Sequence, residues 1–165
     1  MTAATDLRTG EFISAGGIST HYHDVGAGEP VVLLHGSGPG VSAWANWQHT
    51  MPALARSARV LALDLVGYGA TERPQDVRYS LRTWTDHVWA FLDAVGVDQV
   101  AVVGNSLGGR IALRLAADDS SRLRRGTPAA TWASPRSRCA PSGCPRCSCT
   151  ASKTRWCRPR SPGPW

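Results

Sequence analysis

The residues best suited to chemistry lie between Val100 and Ala112, which read VAVVGNSLGGRIA. Small and β-branched residues lead into Gly104-Asn105-Ser106-Leu107-Gly108-Gly109, and an apolar-periodic segment leaves it, the pattern of a strand, a tight turn and a helix. That setting presents a serine as a nucleophile. The turn holds the serine in a strained backbone conformation, and the missing Cβ atoms at Gly104 and Gly108 let strand and helix approach without collision. Ser106 then stands at a helix N-terminus, where unpaired N–H groups and the helix dipole favour an oxyanion.

The elements that must position this turn follow from the rest of the chain. Residues 1–9 read as a flexible N-terminus, and Glu11 to Tyr22 as a hairpin around Gly16-Gly17. Val31 to Gly36 (VVLLHG) and Arg59 to Asp64 (RVLALD) are continuous apolar runs, predicting strands buried on both faces. Between them lie the loop His35-Gly36-Ser37-Gly38-Pro39-Gly40 and a helical stretch from Trp44 to Ala55. Leu65 to Pro74 is a turn-rich loop. Ser80 then precedes a helix marked by Leu81, Trp84, Val88, Phe91, Leu92 and Val95, with Gly96 past its end. Gln99 to Val103 is the strand feeding the serine turn, and Asp118-Asp119-Ser120 begins the exit from the last helix. Strands alternating with helices predict an α/β fold with a mainly parallel sheet flanked by helices. His21 and His23 read as surface or strand residues rather than ligands, and His87 as structural.

Composition changes sharply at residue 126. Residues 126–165 hold no Val, Leu, Ile, Met, Phe, Tyr, Asp, Glu or His, so they cannot build a core, whereas residues 10–125 form the folded domain. Residues 1–125 carry 11 basic against 12 acidic residues, and the high isoelectric point belongs to the tail, with 7 basic residues and no acid. The folded part therefore has no excess of positive charge for nucleic acid. All five cysteines, including the Cys144-x-x-Cys147 pair, lie in the tail without a histidine or a second matching pair, so no metal site is expected. A cysteine-free body suits the cytoplasm. Neither a signal peptide nor a membrane span is visible.

Both glycine loops fall at carboxyl ends of predicted parallel strands, where such sheets bind ligands. With Ser106 as nucleophile, the backbone N–H of Leu107 supplies one oxyanion donor and Ser37 or Gly38 the other. On VVLLHGSGPGVSAWANW, LDLVGYGATERP and VGNSLGGRIAL, residues 20–125 resemble the amino-terminal half of an α/β-hydrolase. Within that superfamily they resemble the meta-cleavage product hydrolases of aromatic degradation. The HGSGPG loop followed by Trp-Ala-Asn, and an Asn directly before the serine, are more specific than GxSxG alone. The resemblance implies hydrolysis of a carbon–carbon bond in a 2-hydroxy-6-oxo-dienoate formed by ring fission. The dienol is ketonised, the exposed carbonyl is attacked by Ser106, and Asn46 and Asn105 orient the dienoate end. It implies a small-molecule substrate and no cofactor or metal, and it specifies no oligomeric state.

The chain also departs from this pattern. A serine hydroxyl needs a base, normally a histidine oriented by an acid, and in this fold both follow the serine. After Ser106 only Asp118 and Asp119 are acidic and there is no histidine, so the chain as written is expected to be inactive. His35 upstream belongs to loop support in the family. The resemblance stops near Arg125, and the Arg, Pro, Ser and Cys-rich run beyond reads as a disordered tail from a frameshifted GC-rich gene. The Gln99 to Val103 strand is then expected to be left as an open edge. The rival readings are an esterase or lipase of the same fold, a non-catalytic ligand-binding protein of that fold, and a metal- or nucleic-acid-binding tail.

Overall fold

Strands that are apolar without alternation demand cover on both faces, and the architecture supplies it. The computed structural model describes residues 9–124, within the first of the two units into which the chain divides, Met1–Ala130. It runs β1 (Glu11–Ala15), β2 (Ile18–Gly26), β3 (Pro30–Leu34), α1 (Ala43–Trp47), α2 (Met51–Leu54), β4 (Arg59–Leu63), α3 (Leu81–Ala94), β5 (Ala101–Gly104) and α4 (Leu107–Asp118), then a 3-10 turn at Ser120–Arg122. The tail at 126–165, with its cysteines and expected disorder, lies outside the described residues.

Alternate residues of the central strands enter opposite layers. Val32, Leu34, Leu61 and Leu63 pack with Phe91 and Leu92 of α3 and with Ile111 and Leu115 of α4. Val31, Leu33, Val60 and Ala62 pack with Ala43 of α1 and Met51 of α2.

The strand order is β1-β2-β4-β3-β5. β3 pairs in parallel with β4 and β5, while β2 pairs antiparallel with β1 and β4. By direction, β2 alone runs against the other four, so the sheet is mixed at its hairpin edge and parallel where the loops of interest lie. From β3 the chain steps outward to β4 through α1 and α2, then crosses back through α3 to the other side of β3. Crossovers of one hand that travel in opposite directions put their helices on opposite faces, which is the layering observed. The strand order thus reverses at β3, and the crevice between the carboxyl ends of β3 and β5 is the switch point where such sheets bind ligands.

One expected element divides. The stretch from Trp44 to Ala55 forms two short helices rather than one, because Pro52, in the first turn of α2, has no N–H to bond back to Gln48. β5 begins at Ala101 rather than Gln99.

His21 and His23 of β2 and His87 of α3 are all buried, so the surface option for His21 and His23 is corrected and the strand option stands. His21 Nδ1 meets Asp64 Oδ2 at 2.9 Å and its Nε2 meets the Thr9 carbonyl at 3.0 Å. His23, also in β2, is buried too. His87 in α3 accepts from the Val66 N–H at Nδ1 (3.3 Å), and its Nε2 lies 2.8 Å from Thr20 Oγ1. Since the Thr20 hydroxyl donates to Ile18 O, His87 Nε2–H is the donor to it. This neutral tautomer is what burial enforces.

Among the described residues β5 pairs along its length only with β3, and Val103 is 41% exposed. Among those residues its other edge is engaged at its start alone. Val100 N–H donates to Arg122 O and Arg124 N–H to Val100 O, both 3.0 Å, a parallel bridge centred on Leu123. An apolar edge with free backbone groups recruits other edges. We expect the purified chain to self-associate at micromolar concentration, and a monomeric, cooperative melt by light scattering and calorimetry would contradict this.

Burial lowers the pKa of His87 to about 4 and also lowers that of His35. A folded-state value below the unfolded 6.5 means stability is fully present above pH 6.5 and is lost as pH falls towards about 4. For His87 the full loss is on the order of 3 kcal/mol. Denaturant titrations at pH 7.5 and 4.5 should show it, and His87→Gln should flatten most of the slope.

Candidate active site

The turn after β5 is a strained backbone held by close packing. Ser106 has φ 50° and ψ −107°, and it is the one non-glycine residue at positive φ among the described residues. Such a conformation costs about 1–3 kcal/mol and persists only where its surroundings enforce it. Here they do. A Cβ on Gly104 would collide with the backbone of Gly108, and a Cβ on Gly108 would collide with the Leu34 carbonyl of β3. Strand β5, helix α4 and strand β3 thus meet with no side chain between them. Asn105 N–H donates to Leu34 O at 3.0 Å and Gly108 N–H to Asn105 O at 2.8 Å, closing the turn. Ser106 is exposed at the head of α4, and Leu107 opens that helix with an N–H that has no partner inside it.

The loop after β3 comes to the same place. A Cβ on Gly36 would lie 3.5 Å from Ser106 Cβ and 3.3 Å from Asn105 Nδ2, so the two loops are in contact. Asn46 on α1 joins them, its Oδ1 accepting from Gly36 N–H (3.1 Å) and from Asn105 Nδ2 (3.0 Å). Gly36 N–H is thereby used up, which leaves the exposed Ser37 and Gly38 as the loop's open backbone. The fold therefore brings Ser106, Leu107, Ser37, Gly38, Asn46 and Asn105 into one neighbourhood.

His35 is fully committed to holding that loop. Its Nδ1–H donates to Gly36 O at 2.6 Å, its Nε2 accepts from Leu65 N–H at 3.0 Å, and it is completely buried. It has no ring nitrogen left to serve as a base.

Sequence reasoning missed the residue that anchors the surrounding loops. Asp64 was legible only as the end of a strand, yet its buried carboxylate accepts from Ala43 N–H (2.5 Å), Ala70 N–H (2.9 Å) and His21 Nδ1 (2.9 Å). One side chain thus fixes the start of α1, the loop after β4 and β2. The turn-rich run Leu65 to Pro74 is more than a connection. In the structure Gly67, Tyr68, Gly69 and Arg73 face Gly38, Gly40, Val41 and Ser42 across a recess of about 380 Å³ at the HGSGPG loop. The available signal was glycine spacing, since Gly67 and Gly69 both take positive φ.

A family model described as the alpha/beta hydrolase fold matches residues 29–142. This chain belongs to the α/β-hydrolase fold family. The match runs past Arg125, where the motif resemblance stops. The chain is 53% identical over 116 residues to a 2-hydroxy-6-oxo-2,4-heptadienoate hydrolase of Pseudomonas putida, covering 70% of this chain and 42% of that protein. It is also 53% identical over 116 residues to a 2-hydroxymuconate semialdehyde hydrolase of a Pseudomonas strain, covering 70% of this chain and 41% of that one. A solved meta-cleavage product hydrolase from Pseudomonas fluorescens superposes with a TM-score of 0.70 at 48% identity, over 73% of this chain and 44% of that chain. The chain therefore spans less than half the length of these relatives. No helix among the described residues is long and apolar enough to cross a membrane, and none of their His, Cys, Asp and Glu residues form a group of three or more able to hold a metal.

The contact between α4 and β3 in this α/β-hydrolase chain is directly testable. A Cβ on Gly109 would meet nothing closer than 3.5 Å, unlike one on Gly108. We expect Gly108→Ala to destabilise by about 3 kcal/mol or more. Gly109→Ala should be neutral or stabilising by up to about 1 kcal/mol in denaturant unfolding.

Proposed function

We propose that residues 9–124 are the nucleophile-bearing half of a serine hydrolase that cleaves the carbon–carbon bond of 2-hydroxy-6-oxo-dienoates from aromatic ring fission. The observation carrying this reading is the contact between the strained Ser106 turn and Gly36 of the HGSGPG loop, bridged by Asn46 and Asn105. Ser106 Oγ attacks the 6-oxo carbon of the ketonised substrate and gives its proton to a base. The Leu107 N–H and that of Ser37 or Gly38 hold the resulting oxyanion. Collapse breaks the carbon–carbon bond, the electron pair is delocalised through the enone on to the 2-oxo oxygen, and that oxygen takes the proton from the base to leave a 2-hydroxydienoate. Water then hydrolyses the acyl-serine to a carboxylic acid. Asn46 and Asn105 orient the dienoate end. The substrate is a small soluble molecule, and the setting we infer is cytoplasmic.

The base is the missing part. His21, His35 and His87 each have both ring nitrogens engaged, and no histidine follows Ser106. A triad completed from the other half of the fold is consistent with the 41–42% of the curated relatives that this chain spans. The aliphatic-free composition of residues 126–165 supports a shifted reading frame there.

The test is sequencing across codons 118–130, then assay of the chain and of a frame-restored protein. We expect no turnover of a ring-fission dienoate by the chain itself. The restored protein should turn over, and Ser106→Ala should lower its kcat by about 10³-fold or more. A restored protein that hydrolyses simple esters but leaves the dienoate intact would replace this reading with a general esterase. Failure of a single-base change to restore an acid and a histidine would remove the frame argument.

A further inference from the structure

The two asparagines of the site differ in what they can do, and the difference follows from one donor that cannot be reassigned. Gly36 N–H is a backbone group and can only donate. The Asn46 atom 3.1 Å from it is therefore the oxygen Oδ1, not the amide nitrogen. That oxygen is also 3.0 Å from the Asn105 side chain, so the Asn105 atom facing it must be the donor Nδ2. Both amide orientations are thus settled by the hydrogen-bond network. The Asn46 carbonyl is occupied by two internal donors that come from different loops. One lies immediately before the Ser37-Gly38 segment, the other immediately before the nucleophile.

We propose that Asn46 is a positioning residue: its side-chain carbonyl locks the HGSGPG loop to the Ser106 turn and so sets the spacing between oxyanion donors and nucleophile. Asn46 has a firm base from which to act. Its helix α1 is capped by Ser42 Oγ on Ala45 N–H (3.0 Å), and its first N–H, from Ala43, is held by Asp64. Ala43, Trp44 and Trp47 pack on the layer beneath β3 and β4. Opposite it, the Ser106 turn is tied to β3 through Asn105 N–H and Leu34 O. Between these two fixed bodies Gly36 bonds to neither strand neighbour, and the Asn46 oxygen is the side-chain acceptor that its N–H meets. For its functional meaning this rests on the serine-hydrolase reading. The corollary for a ligand is that the Asn46 amide hydrogens, the second Asn105 amide hydrogen and the Asn105 Oδ1 remain to face it.

The assignment predicts opposite outcomes for two isosteric changes. Asn46→Asp keeps an oxygen facing both donors, so the link survives. Asn105→Asp sets a carboxylate oxygen against the Asn46 carbonyl, so the link breaks although no atom changes size. Amide hydrogen exchange of the full chain by NMR reads this at Gly36, with Val32 and Leu61 in the core as internal references.

Relative to those references, we expect Gly36 exchange in Asn46→Asp to stay within about threefold of the parent. In Asn46→Ala and in Asn105→Asp it should rise roughly tenfold or more, the equivalent of one lost hydrogen bond. The Asn105 side-chain amide protons should keep their bonded chemical shift in Asn46→Asp and lose it in Asn46→Ala. Unchanged Gly36 exchange in Asn46→Ala would overturn the proposal, and so would equal behaviour of the two aspartate variants, which a purely steric role predicts. None of these readouts requires turnover. Failure of the frame-restored protein to turn over the dienoate would overturn the proposed function while leaving this result standing, and the reverse holds equally.

Discussion

Everything about this site depends on a contact between backbones. Helix α4 rests on strand β3 with Gly108 directly over the Leu34 carbonyl, and strand β5 meets α4 at Gly104 with no side chain between them. That closeness leaves the intervening residues too little chain for a relaxed turn, which drives Ser106 into a conformation that L-residues avoid. The strain is local, and its support is spread over three elements. The apolar layers carried by Leu34, Ile111 and Leu115 hold α4 against the sheet and so maintain the strained residue.

Around that point the fold spends its buried polar groups on loops rather than on the core. Asp64 gathers α1, the loop after β4 and β2 with one carboxylate. His35 joins the HGSGPG loop to Leu65, and His87 joins Val66 to Thr20. Each of these side chains satisfies backbone groups that would otherwise be orphaned where the strands end, which explains why such polar residues can be buried at all. Their placement also explains the direction of the histidine pKa values: desolvation keeps the rings neutral, and the neutral form supplies the acceptor that Leu65 and Val66 need. The loops of the site are thus held by groups whose protonation state is part of the structure.

Much of the fold was legible in particular residues. Val31–Leu34 and Val60–Leu63 announced strands covered on both faces, Ser80 marked the start of α3, and Gly16-Gly17 marked the hairpin. The division between α1 and α2 was missed because periodicity runs through it, although Pro52 carried the signal. The reversed direction of β2 in the sheet and the recess beside Gly38 were not legible, since pairing and concavity are relations between distant segments. Asp64 was missed for the same reason. Its three donors come from residues 21, 43 and 70, and no local pattern marks an acid at a strand end as their common acceptor.

By itself the sequence determined the local chemistry. It placed a serine in a glycine-flanked turn between strand and helix, a second glycine loop after a buried strand, the family those motifs resemble, and the absence of a histidine after Ser106. Those are consequences of residue type and short spacing, which act within a few residues. Only the tertiary structure decided that the two loops meet across the reversal of strand order at β3, that His35 is already spent on its own loop, and that Asn46 presents its oxygen inward. Those facts join groups 10 to 59 residues apart, brought together by sheet order and crossover geometry that no local spacing encodes.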